Sequence, residues 1–319
     1  MTRAVILIAA LLGAWALQAA PDHSTWSAWT DVTATAAGTF TGAADWQAPT
    51  ASAAAVGKSA GASTGYIRQG GGYYLYANVT DAGNPASGTS TVSANVSSIT
   101  SGQTAVALSA GSFTAQGVAY NRRSALLTAN ASLAAGTLAT TLAATDLAAN
   151  SAVAAGPAVT VDNTAPAGNS VQTANGGLVA GRPDAGDTIT LGWSEMIDPH
   201  SILPSWPGTE TAVQVYIYES SDEDILVVRT TAGVVLALGY LELDGDYVSS
   251  NATFTATMTQ TAATISIRLG ALVGGSPRTD TSKSRLIWNT VLTAGATDRA
   301  GNAVVSSDLD ETGRSDHDF

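Results

Sequence analysis

Ile189-Thr190-Leu191-Gly192-Trp193 puts a large apolar side chain at every second position, with Thr and Gly between. A period of two sends alternate side chains to opposite faces, the pattern of a strand with one face in a core and one in water. The stripe returns at Val213, Val215 and Ile217 around Gln214 and Tyr216, and at Ile265, Ile267 and Leu269 around Ser266 and Arg268. Nearer the amino terminus the runs are shorter and rich in Thr, Val or Tyr: Tyr73–Val79, Ser90–Val96, Ser124–Leu127, Leu138–Thr145 and Val159–Val161. Turn-forming clusters such as Asp81-Ala82-Gly83-Asn84-Pro85 separate them. Short strands punctuated in this way predict β-sandwiches. Asp244-Gly245, between Leu243 and Tyr247, predicts a tight hairpin. The Ala-rich tract Leu142–Ala155 has a helical alternative, since Ala is the best helix former. Thr140, Thr141 and Thr145 and the lack of a 3.6-residue apolar stripe favour strand there.

Two short repeats divide this β-rich chain. Thr145-Asp146-Leu147-Ala148-Ala149-Asn150 recurs as Thr297-Asp298-Arg299-Ala300-Gly301-Asn302, each near the end of a half. Gln47-Ala48-Pro49 and Asp162-Asn163-Thr164-Ala165-Pro166 each open one. An Asp or Asn in a tight turn bonds the backbone two residues on, and Gly or Asn tolerates positive φ, so Asp-x-Ala-Gly-Asn closes a turn with little strain. Pro166 fixes its own φ and pushes Ala165 toward an extended conformation, which stiffens the join.

These motifs resemble the bacterial Ig-like repeat modules of secreted and cell-surface proteins. In those modules Thr-Asp-x-Ala-Gly-Asn leads into the last strand and Asp-x-Thr-Ala-Pro begins the next module. Trp193-Ser194-Glu195-Met196-Ile197-Asp198-Pro199 is similar to the Phe-Ser-Glu-x-Val/Ile-Asp-Pro signature of Ig-like domains in bacterial surface-layer proteins. The resemblance covers roughly residues 49–319 and implies fold more than function, because the sandwich hosts many unrelated roles. Upstream, Trp29-Thr30-Asp31 followed by Gly38-Thr39-Phe40-Thr41-Gly42 resembles, over about fifteen residues, the segment after the signal peptide in the TasA/camelysin family of biofilm-matrix fibre proteins. Trp stands where that family usually has Phe or Tyr, and the glycine comes one position early.

The expected layout is therefore all-β. A signal peptide (1–20) and an extended segment (21–48), a possible donor strand, precede two tandem Ig-like β-sandwich domains, 49–163 and 164–319. Arg3 followed by the apolar run Ala4–Leu17 and small residues is the grammar of an export signal, too short for the ~20 residues a spanning helix needs. No second long apolar stretch and no lipid-attachment cysteine appears, so the exported protein is expected outside the cell or at its surface without membrane insertion. It carries no cysteine into that oxidising space, which leaves stability to burial, metal or assembly.

Charge narrows the partners. The formal net charge is -12. Residues 1–160 hold 5 acidic and 5 basic side chains and 161–319 hold 20 and 8, so the excess lies wholly in the second half. With Lys58 and Lys283 its only lysines, the chain offers no footprint for nucleic acid.

The chemistry on offer is sparse. His200 beside Asp198 and Ser201 is the one place for a hydrolytic triad, and the motif already explains it as a loop after a strand. The Glu219–Asp224 run reads as a solvated loop rather than a carboxylate pair for glycoside hydrolysis. Oxygen-rich residues at the expected module ends suit calcium: Asp146, Asn150, Asp162 and Asn163 at one, Asp298 and Asn302, with Asp308 and Asp310, at the other. Turn-forming Asp and Asn need no ion, and no loop has EF-hand spacing, so the expected cofactor is none or calcium. Tyr74 and Tyr76 offer a stacking platform for a sugar, or else belong to a core strand. A Lys–Asn isopeptide, as in some Gram-positive pilins, would need Lys58 or Lys283 against an asparagine such as Asn150 or Asn302.

The sequence thus points to a non-enzymatic structural or adhesive protein of the bacterial cell surface or extracellular matrix. Its partners would be other copies of itself, surface proteins or glycans. Trp26, Trp29 and Phe40 would anchor residues 21–48 if that segment adds as a strand to a neighbour's sheet edge. The alternative is an extracellular module that binds a glycan or a protein.

Overall fold

The computed structural model describes residues 45–319 apart from 61, 62, 82, 84, 222, 281–284, 294 and 313–318. The expected signal peptide, most of the extended segment, and Trp26, Trp29 and Phe40 lie outside the described residues.

The chain is all-β and has two cores, one drawn from residues 56–161 and one from 171–319. The first sandwich opens with β1 (Thr50–Lys58), β2 (Tyr66–Ile67), β3 (Gly72–Thr80), β4 (Thr89–Asn95), β5 (Val106–Ala115) and β6 (Val118–Ser124). It continues with β7 (Leu127–Thr128), β8 (Gly136–Leu138), β9 (Thr141–Asp146), β10 (Ser151–Ala155) and β11 (Val159–Val161). One sheet runs β1-β3-β6-β5-β4-β9-β10 with β7 beside β3, and a small sheet runs β2-β11-β8. In β3 the two-residue period sends Tyr73, Leu75, Ala77 and Val79 into the core. Each fully buried aliphatic side chain contributes about 1.5–3 kcal/mol, and the buried Tyr73 hydroxyl finds Thr100 Oγ1 at 2.8 Å.

The second sandwich has β12 (Gly168–Ala174), β13 (Thr188–Trp193), a short helix α1 (Pro199–Ile202), β14 (Thr211–Tyr218), β15 (Ile225–Arg229) and β16 (Tyr240–Glu242). Then come β17 (Ala252–Thr261), β18 (Thr264–Gly274), β19 (Ile287–Asn289) and β20 (Asp308–Asp310). These form one sheet, β12-β13-β18-β17-β14-β15-β16-β19-β20. It rolls until its last strand comes back to its first: Glu311, just past β20, accepts from Gln172 Nε2 at 2.6 Å. Inside, Trp193 and Trp288 meet edge to face at 4.6 Å, and the Trp288 indole N–H donates to Leu238 O at 2.7 Å.

Several expectations shift. The Ala-rich tract is the β9–β10 hairpin, so pairing within a sheet overrides alanine's helical preference. The expected strand Leu138–Thr145 breaks at Thr140, whose hydroxyl donates to Pro157 O and so pulls the chain out of the ladder. The run Ser124–Leu127 joins two strands instead of forming one. Asp244-Gly245 is a turn, with Asp244 at φ 46°, but it joins no hairpin: β16 pairs with β15 and β19, not with β17. The turn instead carries the chain back over Asp224.

Candidate functional site

At the leading, amino-terminal end of each sandwich the chain builds the same clasp. In the first, Asp146 ends β9 and accepts from Asn150 N at 2.8 Å and from Asn150 Nδ2 at 2.8 Å. The same Nδ2 donates to Asp45 O at 3.0 Å, tying the incoming chain to the far end of the domain. In the second, Asp298 accepts from Asn302 N at 2.8 Å and Nδ2 at 2.7 Å, and Nδ2 donates to Asp162 O at 2.9 Å. Sequence separates Asn302 from Asp162 by 140 residues, so each clasp closes a whole domain onto its own start.

A third acid completes each clasp. Asp45, Asp81 and Asp146 bring carboxylate oxygens within 4.8 Å of one another, and so do Asp162, Glu195 and Asp298. Asp81 follows β3 as Glu195 follows β13, so the two acids hold corresponding places in their domains. Gly83 suits this site because a Cβ there would run into the Asp45 carboxylate.

The two triads differ in how their charges are met. Asp45 accepts from the N–H groups of Gln47 and Ser87 and from the Ser87 hydroxyl, which hold its carboxyl below the usual range. Asp81 accepts from Gly83 N, from Ser87 Oγ and from the N–H of Gly88. In the second triad Glu195 is half-buried, its Oε1 is met by no N–H group, and its carboxyl shares a hydrogen bond with the Asp162 carboxyl. Burial, reinforced by Asp162 and Asp298, pushes the Glu195 carboxyl up to about 7. A half-buried carboxylate crowded by two others is eased by a proton, which it can share with Asp162, or by a cation. The donors are all oxygen, which suits calcium rather than a soft metal.

The second clasp is also the joint between the sandwiches. Lys58, at the end of β1, reaches across to Asp198 Oδ2 at 2.7 Å, with both side chains buried. Its ammonium donates further to Asp298 O at 2.8 Å and Thr297 Oγ1 at 3.1 Å, so all three of its protons are used. Asp198 caps α1 through His200 N at 3.1 Å. The Arg299 guanidinium lies 4.0 Å above the Tyr66 ring. Tyr66, Asp162, Glu195, Met196 and Arg299 line a small cleft of about 180 Å³ there.

The other expected residues fall elsewhere. Asp146 and Asn150 do not share a junction with Asp162 and Asn163: each acid–amide pair returns to its own domain's start. Asn163 turns away from the triad, accepting from Gln69 N and donating to Leu133 O. Asp308 and Asp310 are exposed on β20. Tyr76 is buried beside Tyr120, and Tyr74 is half-buried with the Arg123 guanidinium 4.5 Å above its ring, so the two do not form an open stacking platform. Ser201 Oγ lies 2.6 Å from Asp198 O and accepts from Thr297 N, a backbone tie rather than a nucleophile. Asp224 is buried instead of solvated and organises its loop by accepting from Tyr247 N and Val248 N. Lys58 faces an aspartate, while the Asn302 amide is held by Asp298 and Asp162.

Sequence reading missed Asp45, Asp81, Glu195 and the Lys58–Asp198 pair. Extending the repeat by one step, Asp45-x-x-Ala48-Pro49 against Asp162-x-x-Ala165-Pro166, carries the signal for the first. No family model, curated protein or solved structure matches the chain.

Proposed function

We propose that this chain is an exported, non-enzymatic structural or adhesive protein of the bacterial cell surface or extracellular matrix, in which sandwiches are stacked through locked joints. The observation that carries this reading is the joint. A buried ion pair, two further ammonium bonds, a cation–aromatic stack and a proline-stiffened linker converge on a few residues between two domains. Domain motion is the default across a small polar interface, and the buried ion pair with its further bonds is what would hold these two domains in one orientation, as a rod requires. The motif resemblance to surface modules and the export grammar of residues 1–20 agree with it.

Immunogold labelling of the producing cells, set beside a deletion strain, tests the reading. Label at the surface or in the matrix and loss of cohesion on deletion are expected. A cytoplasmic protein that keeps its first twenty residues would overturn it.

A cation at the joint is a second, compatible reading, favoured by the carboxylate oxygens of Asp162, Glu195 and Asp298, which lie within 4.8 Å of one another with no N–H group meeting Glu195 Oε1. Calorimetric titration of calcium into the chelator-treated protein tests it. Binding that Glu195→Gln weakens is expected, and no heat of binding rejects it.

A further inference from the structure

We propose that copies of this chain join end to end, the loop 175–187 of one copy's second sandwich seating on the leading end of the next copy's first sandwich. This rests on the structural role above and adds the surface by which copies meet.

The chain already makes one such joint internally. Domain 1 docks with the end of β1 and the β1–β3 connection, through Lys58, Tyr66 and Arg68. Domain 2 receives them with its clasp turn, Thr297–Gly301, and with Asp198. Each half of this joint has a counterpart at the outer ends of the molecule. The loop 175–187 connects β12 to β13 as the docking loop connects β1 to β3. The turn Thr145–Asn150 repeats the asparagine bonds of Thr297–Asn302, while the bond from Gly301 N to Asp298 Oδ1 belongs to the second turn.

The outer counterparts carry exposed apolar side chains, with none of the described residues packed over them. Leu147 stands where Arg299 stacks on Tyr66, and it is 71% exposed; Trp46, next in the chain to the clasp's Asp45, is 68% exposed. On the outer loop Leu178 is 95% exposed and Val179 follows it. The loop is built to hold them out: Asp184 accepts from Leu178 N and Val179 N, and Asp187 from the N–H groups of Gly176, Gly177 and Asp184. Its carboxylates thus face inward while its aliphatic side chains face out.

Receiver and docker change character together, from a cation–aromatic pair at the inner joint to an aliphatic pair at the outer ends. The outer ends therefore match each other, and neither matches the inner joint, which is how a repeat fixes its order. A docker and a receiver at opposite ends make a heterologous contact, which propagates into a filament unless the rotation closes a ring.

Sedimentation velocity and negative-stain microscopy of the chain from residue 21 on test this, with Leu147→Asp and Leu178→Asp, both at exposed positions that leave the cores intact. Concentration-dependent end-to-end assemblies are expected for the unsubstituted chain. Each variant alone should weaken association by about tenfold or more, the worth of one buried leucine. Mixed, Leu147→Asp keeps a docker and Leu178→Asp keeps a receiver, so the mixture should stop at dimers. Assembly unchanged in both variants overturns the proposal, as does a chain that stays monomeric throughout. Assembly that appears only when residues 21–44 are removed names that segment as the occupant, which overturns it for the native chain. Assembly lost on removing 21–44 but indifferent to both leucines makes strand addition the contact, which overturns this surface and leaves the structural role standing.

Discussion

Asp146 and Asp298 occupy the same turn in the two sandwiches and accept the same two bonds from the asparagine four residues on. Around Asp146 the neighbouring acids Asp45 and Asp81 are met by backbone N–H groups and Ser87. Around Asp298 the neighbouring Glu195 has an oxygen without a donor, and a lysine from the other domain lies against the buried Asp198. One frame thus serves two ends. Where it faces outward it satisfies its own charges, and where it faces another domain it leaves charge to be met from across the joint. The difference teaches that the asparagine clasp belongs to the fold, whereas Lys58, Asp198 and Glu195 belong to the joint.

The sharpest way to break that contrast is Lys58→Met. It leaves Asp198, wholly buried, without its ion pair, and stranding one member of such a pair costs about 3–5 kcal/mol. Urea denaturation followed by the buried tryptophans Trp193, Trp206 and Trp288 should show the loss in the second sandwich. Adding Asp198→Asn should return more than half of it, because the stranded charge is then gone. At the outer end Leu147→Ala, on an exposed turn with none of the other described domain against it, should shift the monomer's stability by no more than about 0.5 kcal/mol. Equal losses for Lys58→Met and Leu147→Ala would dissolve the distinction between frame and joint.

Acid should move the two clasps in opposite directions. Glu195 carries a folded value of about 7 against 4.5 when unfolded. Between those values the folded chain holds a proton the unfolded chain has released, so stability falls as pH rises through that window. After allowance for partial solvent screening the fall is about 2 kcal/mol. Glu195→Gln should flatten it, and in the chelated protein added calcium should offset it above pH 7 by taking the proton's place. Asp45 runs the other way: its folded value lies below 3.8, so its contribution is present above that and is lost as pH falls through the folded value. Melting of each sandwich across pH, with and without calcium, reads both slopes, and matching signs would contradict the contrast.

The fold was legible where a two-residue apolar period meets a core, as at Ile189–Trp193, Val213–Ile217 and Ile265–Leu269. Strands such as β1, made largely of Ala and Thr, and β15, buried on both faces, carry no such period and gain their place from neighbours. The hairpin turn actually used between β5 and β6, Gln116-Gly117 with both residues at positive φ, is as local as Asp244-Gly245. Local turn chemistry does not say which strands will pair. At the site, Asp146, Asn150, Asp298 and Asn302 were visible because a six-residue motif repeats, and Asp162 because its pentapeptide does. Glu195 and Lys58 were not, because their partners lie far along the chain, Asp162 and Asp298 on either side of Glu195 and Asp198 across the joint from Lys58. The pairing of Asp146 with Asp45 instead of Asp162 follows from the end of each domain closing back on that domain's own start, a fact of topology that spacing along the chain does not record.

The smallest effect sits within the clasp turn itself. Ala149 and Gly301 hold the same position in the two copies, at φ 70° and 97°, and only glycine enters this left-handed region without a steric cost. The asparagine bonds of the two turns match, and Gly301 N adds a bond to Asp298 Oδ1 that an alanine there would keep, so the pair reads mainly the backbone cost. Ala149→Gly should relieve strain in the first sandwich, offset in part by the greater freedom glycine gives the unfolded chain, for a net gain of about 0.5 kcal/mol. Gly301→Ala should cost about 1 kcal/mol. Its new Cβ would meet Lys58 Cδ at 3.7 Å, an ordinary contact that adds little. Chemical denaturation of the two variants side by side reads the opposite signs. A Gly301→Ala loss several times larger would mean that the joint, and not the turn, dictates the backbone at this position, and the shared frame would then be specific to the end that meets a neighbour.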